Sequence, residues 1–108
     1  MRHVIDELYE VILDRKANPA EGSYTSYLFA QGLDKILKKC GEESSELIIA
    51  AKNSGIDEMK EEICDVAYHI LVLMALAGIR PEEIASLLDQ RRLKVGNLKP
   101  ARQTDKDS

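Results

Sequence analysis

Two pairs of carboxylates share one spacing in this chain: Glu43-x-x-Glu46 and, after fifteen further residues, Glu62-x-x-Asp65. On an α-helix, residues three apart are neighbours on one face. Each pair therefore sets two carboxylates in one small region, and a short turn between the two helices can fold the pairs toward each other. Like charges brought together and stripped of water are costly unless a cation joins them. Oxygen-only ligands suit Mg²⁺, with Mn²⁺ as a possible substitute. A carboxylate-held Mg²⁺ commonly meets phosphate groups, so the spacing points to nucleotide chemistry. The plain alternative is a pair of solvated helix faces, which is what most acidic clusters are. The matched pairing favours the site.

The elements that must carry these groups read as helices throughout. Val4, Ile5, Leu8, Val11 and Ile12 recur at the helical period and predict a first helix from about Arg2 to Lys16. Asn18-Pro19 and Gly22 make a loop. Ser23 can cap a short helix to about Gln31, which Gly32 ends. A long third helix begins at Leu33 or Asp34 and reaches about Asn53, with Gly55 as its stop and Asp57 as the N-cap of a fourth. Helix four runs to Ala77, and Gly78 closes it. Pro81, Glu82 and Glu83 open a fifth helix that ends near Lys94–Gly96. Residues 1–96 form one all-α domain, a helical bundle of about four to five helices. Residues 97–108 lack an apolar period and read as a disordered tail.

Composition agrees with this outline. The 108 residues include one Phe and no Trp, so aliphatic side chains must make the core. The net charge of -4 argues against general binding to nucleic acid or to an anionic membrane. Between Glu42 and Asp65, eight acids face only two lysines, Lys52 and Lys60. The motif region is thus the acidic part of the chain, as a cation site requires. Cys40 and Cys64 sit among apolar residues with no zinc-ligand spacing, and read as reduced, buried thiols. Met1 leads straight into charged residues rather than a secretory signal, so a cytoplasmic location is expected. The stretch from Ile63 to Ile79 is too short and too polar, with Asp65 and His69 inside it, to span a membrane.

Helix four is apolar nearly all round from Ile63 to Ala77, and a helix of that kind is buried on most sides. About four other helices cannot easily surround it, so a homodimer built on helices three and four is expected to complete the bundle. A central helix in a monomeric bundle is the alternative. Glu62, Asp65 and His69 fall within about 60° on a wheel of ~100° per residue, beside Ile63, Val66 and Ile70. No Lys or Arg on that strip compensates them, whereas a divalent ion shared with Glu43 and Glu46 would. His69 follows Asp65 by four residues rather than following a Glu by three, which disfavours a di-iron site. It reads as a hydrogen-bonding or core residue ahead of a metal ligand.

The runs Ser23-Tyr24-Thr25, Lys35-Ile36-x-Lys38-Lys39-x-Gly41-Glu42-Glu43-x-x-Glu46, Ala50-Ala51-Lys52 and Glu62-x-x-Asp65-x-x-Tyr68-His69-x-Leu71-Val72-Leu73 resemble the phosphoribosyl-ATP pyrophosphohydrolase family of histidine biosynthesis. That family lies within the wider all-α, MazG-like nucleotide pyrophosphohydrolases, which share the acidic quartet. The resemblance covers about residues 4 to 92 and suggests a stand-alone enzyme rather than a fusion. The segment Arg91–Lys99 departs from the family's terminal pattern, lacking the Ser-Gly-type turn usual there. The resemblance implies Mg²⁺-dependent hydrolysis of the α–β phosphoanhydride of phosphoribosyl-ATP to phosphoribosyl-AMP and pyrophosphate. Glu43, Glu46, Glu62 and Asp65 would hold the metal. Glu42 or Glu46 would polarise the attacking water, although Glu42 reads equally as a solvated residue. Lys35, Lys38 and Lys39 would meet the triphosphate, if they are not merely surface lysines. Ser23, Tyr24 and Thr25 would hydrogen-bond sugar or phosphate, with Ser23 as a plain N-cap the competing reading. No phosphate-cradling Gly-rich loop and no Ser/His/Asp or Cys/His set is present, which favours direct attack by water. A pyrophosphohydrolase that clears canonical or damaged nucleoside triphosphates is the alternative within the same class. A non-enzymatic dimeric helical adaptor is the alternative outside it.

Overall fold

A computed structural model describes residues 3–53 and 55–94. The order is α1 (Val4–Ala17), α2 (Tyr24–Gln31), α3 (Leu33–Asn53), α4 (Ile56–Ala77) and α5 (Pro81–Leu93), with no strand among the described residues. The fold is all-α, as the periodicity predicts. The expected tail at 97–108 lies outside the described residues.

Each boundary has a local cause. His3 caps α1 by accepting the Ile5 N–H at Nδ1, so the helix starts at Val4 rather than Arg2. Ser23 caps α2 by accepting the Ser26 N–H at 3.1 Å. Gly32 and Gly78 end α2 and α4 at φ of 91° and 80°, where a Cβ would be strained. The expectation for Gly55 and Asp57 is corrected. Gly55 has a φ of -82°, not a left-handed stop, and is itself the N-cap of α4. Asp57 therefore falls inside the first turn, where its charge still complements the helix dipole.

The core draws on four helices. Tyr9 and Ile12 of α1, Leu28 of α2, Ile36 of α3 and Leu71, Val72, Met74 and Ala75 of α4 are buried together. Tyr9 is accommodated because its hydroxyl donates to the Ile79 carbonyl at 2.6 Å. Ser26 is buried with its hydroxyl accepting the Ala20 N–H and donating to the Arg15 carbonyl, which ties the α1–α2 loop down. Arg80 fastens α5 back to α1 through Glu10 at 2.8 Å and over the Tyr9 ring.

Helices α3 and α4 form an antiparallel hairpin. Cys40 of α3 reaches the His69 carbonyl, and the earlier α4 residues Glu62 and Asp65 face the later α3 residue Glu43. Within one chain, the other helices do not surround α4. Ile63 and Ile70 keep 49% and 45% of their surface exposed, because the other helices cover only the face carrying Leu71, Val72 and Met74. The cysteine expectation is half corrected. Both are free, but Cys40 is only partly buried and Cys64 is exposed. Burial pushes the Cys40 thiol's pKa up. No single helix among the described residues is long and apolar enough to cross a membrane.

Candidate metal centre

The hairpin brings Glu43, Glu62 and Asp65 together, each with an oxygen within 4.8 Å of the other two. Neighbouring oxygens around a hard divalent ion are about 3–4 Å apart, so small side-chain adjustments suffice to ligate one. Glu43 is buried at 8% exposure, Glu62 is half-buried and Asp65 is exposed. The group runs from the interior out to solvent, giving an ion a route in.

The donor set carries unmet demand. Glu43 Oε2 and Glu62 Oε2 are buried without any hydrogen-bond partner among the described residues. An unpartnered buried carboxylate oxygen is expensive, and proteins rarely keep one without a ligand to satisfy it. Charge crowding registers in the proton affinities. Burial, followed by the charges of Glu46, Asp65 and Glu43, raises the Glu62 pKa above the ordinary carboxylate value. Glu43 raises that of Glu46 in the same direction. The residues present therefore fit a divalent cation: oxygen donors, excess negative charge and orphaned lone pairs.

Of the four expected metal ligands, Glu46 falls outside the group of three but crowds it, interacting with Glu43 and Glu62. It lies one turn from Glu43 on the exposed side, beside the group of three rather than in it. Glu42 turns toward cations instead, with Lys38 at 3.8 Å and Lys39 at 3.3 Å. Lys39 also reaches Glu43 Oε1 at 3.5 Å and is the least exposed of these lysines. Burial opposes its charge, but its bonds to Glu42 and Glu43 outweigh that and push its pKa up. Lys38 stays in solvent, and Lys35 lies over the Tyr27 ring at 5.9 Å. Ser23 spends its hydroxyl on the α2 cap.

Tyr24 and Thr25 are both bonded to α4. The Tyr24 hydroxyl lies 2.9 Å from His69 Nε2, while His69 Nδ1 lies 2.7 Å from the Asp65 carbonyl. A carbonyl only accepts, so Nδ1 must donate. In the neutral ring Nε2 then accepts from Tyr24. His69 is buried with both nitrogens engaged, which makes it a hydrogen-bonding core residue and not a ligand. Thr25 Oγ1 bonds the neighbouring Tyr68 hydroxyl. Sequence reasoning gave Tyr68 and Tyr27 no role. The structure stacks both beside Tyr24, at centroid distances of 6.3 and 6.2 Å, as one aromatic shelf next to the acids. The period-3.6 offset from Asp65 was the available signal for Tyr68, but it does not reveal a partner on another helix.

This arrangement is found in a chain with close known relatives. The family described as phosphoribosyl-ATP pyrophosphohydrolase matches residues 5–92. The chain belongs to the phosphoribosyl-ATP pyrophosphohydrolase family. A phosphoribosyl-ATP pyrophosphatase of Clostridium novyi is 58% identical over 99 residues, covering 92% of this chain and 90% of its own length. One from Clostridium botulinum is 56% identical over 102 residues, covering 94% and 93%. One from Lactiplantibacillus plantarum is 53% identical over 95 residues, covering 88% and 90%. The match includes all five helices of this pyrophosphohydrolase family member except the ends of α1 and α5. Every residue of the acidic group and of the aromatic shelf lies inside it.

Proposed function

We propose that this chain hydrolyses phosphoribosyl-ATP to phosphoribosyl-AMP and pyrophosphate, a step of histidine biosynthesis, and that it does so with Mg²⁺. The observation that carries the metal reading is the pair of orphaned oxygens, Glu43 Oε2 and Glu62 Oε2, inside a group of three carboxylates. Family membership supports the substrate. Glu43, Glu62 and Asp65 hold the ion, with Glu46 one helical turn away to complete the ligand set directly or through water. When bound, Mg²⁺ supplies charge neutralisation at the phosphate oxygens of the scissile anhydride.

The chain's own residues supply the rest. Glu46 is exposed beside the group of three, where solvent reaches it, and is placed to accept a proton from the attacking water. Lys38 and Lys39 bring positive charge one helical turn before the acids, where a polyphosphate would lie. Tyr24 and Thr25, fixed by His69 and Tyr68, set the start of α2 against the same region.

The protein acts as a homodimer in this reading. Ile48 and Ile49 of α3 and Ile63 and Ile70 of α4 are large apolar side chains left exposed in the single chain, and a second copy would cover them.

The test is pyrophosphate release from phosphoribosyl-ATP and from a panel of nucleoside triphosphates, with Mg²⁺ and after chelation. Turnover confined to phosphoribosyl-ATP and lost on chelation is expected. Equal turnover of the panel would sink the substrate assignment, and full activity in chelator would sink the metal.

A further inference from the structure

Glu43 is the most buried acid of the group, and its two oxygens have different surroundings. Oε1 faces the Lys39 ammonium at 3.5 Å, whereas Oε2 has no partner among the described residues. Lys39 is itself partly buried, at 24% side-chain exposure, and reaches Glu42 Oε2 at 3.3 Å as well. The acidic group thus already contains one cation of its own, held at its inner carboxylate.

We infer that Lys39 is a resident counter-ion of Glu43 that gives way when a divalent cation binds and then pairs with a phosphate of the substrate. The inference rests on the metal reading above. Its physical basis is that a divalent ion at Glu43 and an ammonium on the same carboxylate repel each other. The lysine stem has four rotatable bonds and its head is a point charge without fixed directionality, so it moves at small cost. A polyphosphate that arrives with the ion offers new anionic oxygens near the position the ammonium leaves. Lys39 thereby links the two ligands: it competes with the first and favours the second.

This linkage predicts effects of opposite sign, which damage to the fold would not produce. Mg²⁺ binding to the substrate-free protein is measured by calorimetry, and KM for phosphoribosyl-ATP at saturating Mg²⁺, in wild type, Lys39→Met and Lys39→Arg. Met keeps most of the apolar stem and removes the charge; Arg keeps the charge. Lys39→Met is expected to tighten Mg²⁺ about three- to tenfold while raising KM by a similar factor, given one partly screened charge at this distance. Lys39→Arg is expected to stay near wild type in Mg²⁺ affinity and to recover most of the loss in KM. Unchanged or weaker Mg²⁺ binding in Lys39→Met, or an unchanged KM, would overturn the inference while leaving the metal centre standing. A wild-type protein that binds no divalent ion would overturn the metal reading, and this inference with it.

Discussion

The Tyr24 hydroxyl and His69 Nε2, 2.9 Å apart, join the first turn of α2 to the helix that carries Glu62 and Asp65. The neighbouring bond from Thr25 to Tyr68 makes the same junction one residue later on α2 and one residue earlier on α4. These two bonds decide where the Ser-Tyr-Thr segment sits relative to the acids. Tyr24→Phe removes only one hydroxyl but leaves a buried imidazole nitrogen without its partner. It is expected to cost about 1–2 kcal/mol in denaturant unfolding. A loss below ~0.3 kcal/mol would mean that the bond contributes nothing net.

Glu43→Gln separates the needs of the fold from those of the site. In the metal-free protein the change removes a buried negative charge that crowds Glu46 and Glu62. Stability without metal is therefore expected to hold or rise, while Mg²⁺-induced stabilisation and turnover both vanish. Thermal unfolding with and without Mg²⁺ reads this directly. A variant that Mg²⁺ still stabilises to the wild-type extent would remove Glu43 from the ligand set.

The raised pKa values of Glu62 and Glu46 give the metal-free protein a definite pH dependence. A carboxyl whose folded pKa lies above its ordinary value of 4.5 binds its proton more tightly folded than unfolded. Its contribution to stability therefore declines as pH rises through the range just above that value. Glu82 has the opposite sign, because its bond to Arg80 lowers its pKa, so its contribution is lost as pH falls below 4.5. Metal-free unfolding midpoints are expected to drop between mildly acidic and neutral pH, and saturating Mg²⁺ is expected to flatten that drop. A metal-free midpoint that climbs across the same interval would contradict the crowding of Glu62.

Ile70→Glu tests the pairing of two copies without disturbing the core. Ile70 is 45% exposed in the single chain, whereas the nearby Leu73 packs against the buried cluster. A charge at Ile70 is expected to raise the dimer dissociation constant at least about tenfold, with helical content unchanged. Sedimentation of an intact dimer at micromolar concentration would place the interface elsewhere.

Arg80 provides a contrast just past the end of α4, whose last residue Ala77 lies roughly 18 Å along the helix axis from Asp65 at 1.5 Å per residue. Its ion pairs to Glu10 and Glu82 are about half exposed, so Arg80→Ala is expected to lower the unfolding midpoint only slightly. Turnover at 25 °C should be unaffected. A large loss of turnover would show that the anchoring of α5 reaches the site.

The sequence by itself determined the helices and the acidic pairs. A 3.6-residue period, a capping Ser23 and the terminating Gly32 and Gly78 are local signals, so each can be read from its own neighbourhood. The Glu43 and Glu62 spacings likewise state that carboxylates share a face. The sequence misplaced the start of α4, because Gly55 suits either a stop or a start and only its backbone angle distinguishes them. It overstated the burial of Cys64, because an apolar run does not say which neighbour covers it. Only the tertiary structure decided that Glu43, Glu62 and Asp65 meet while Glu42 turns to Lys39, and that Tyr24 finds His69. Those relations depend on the rotation and depth at which two helices pack, quantities set by the whole core at once and written in no single stretch of chain.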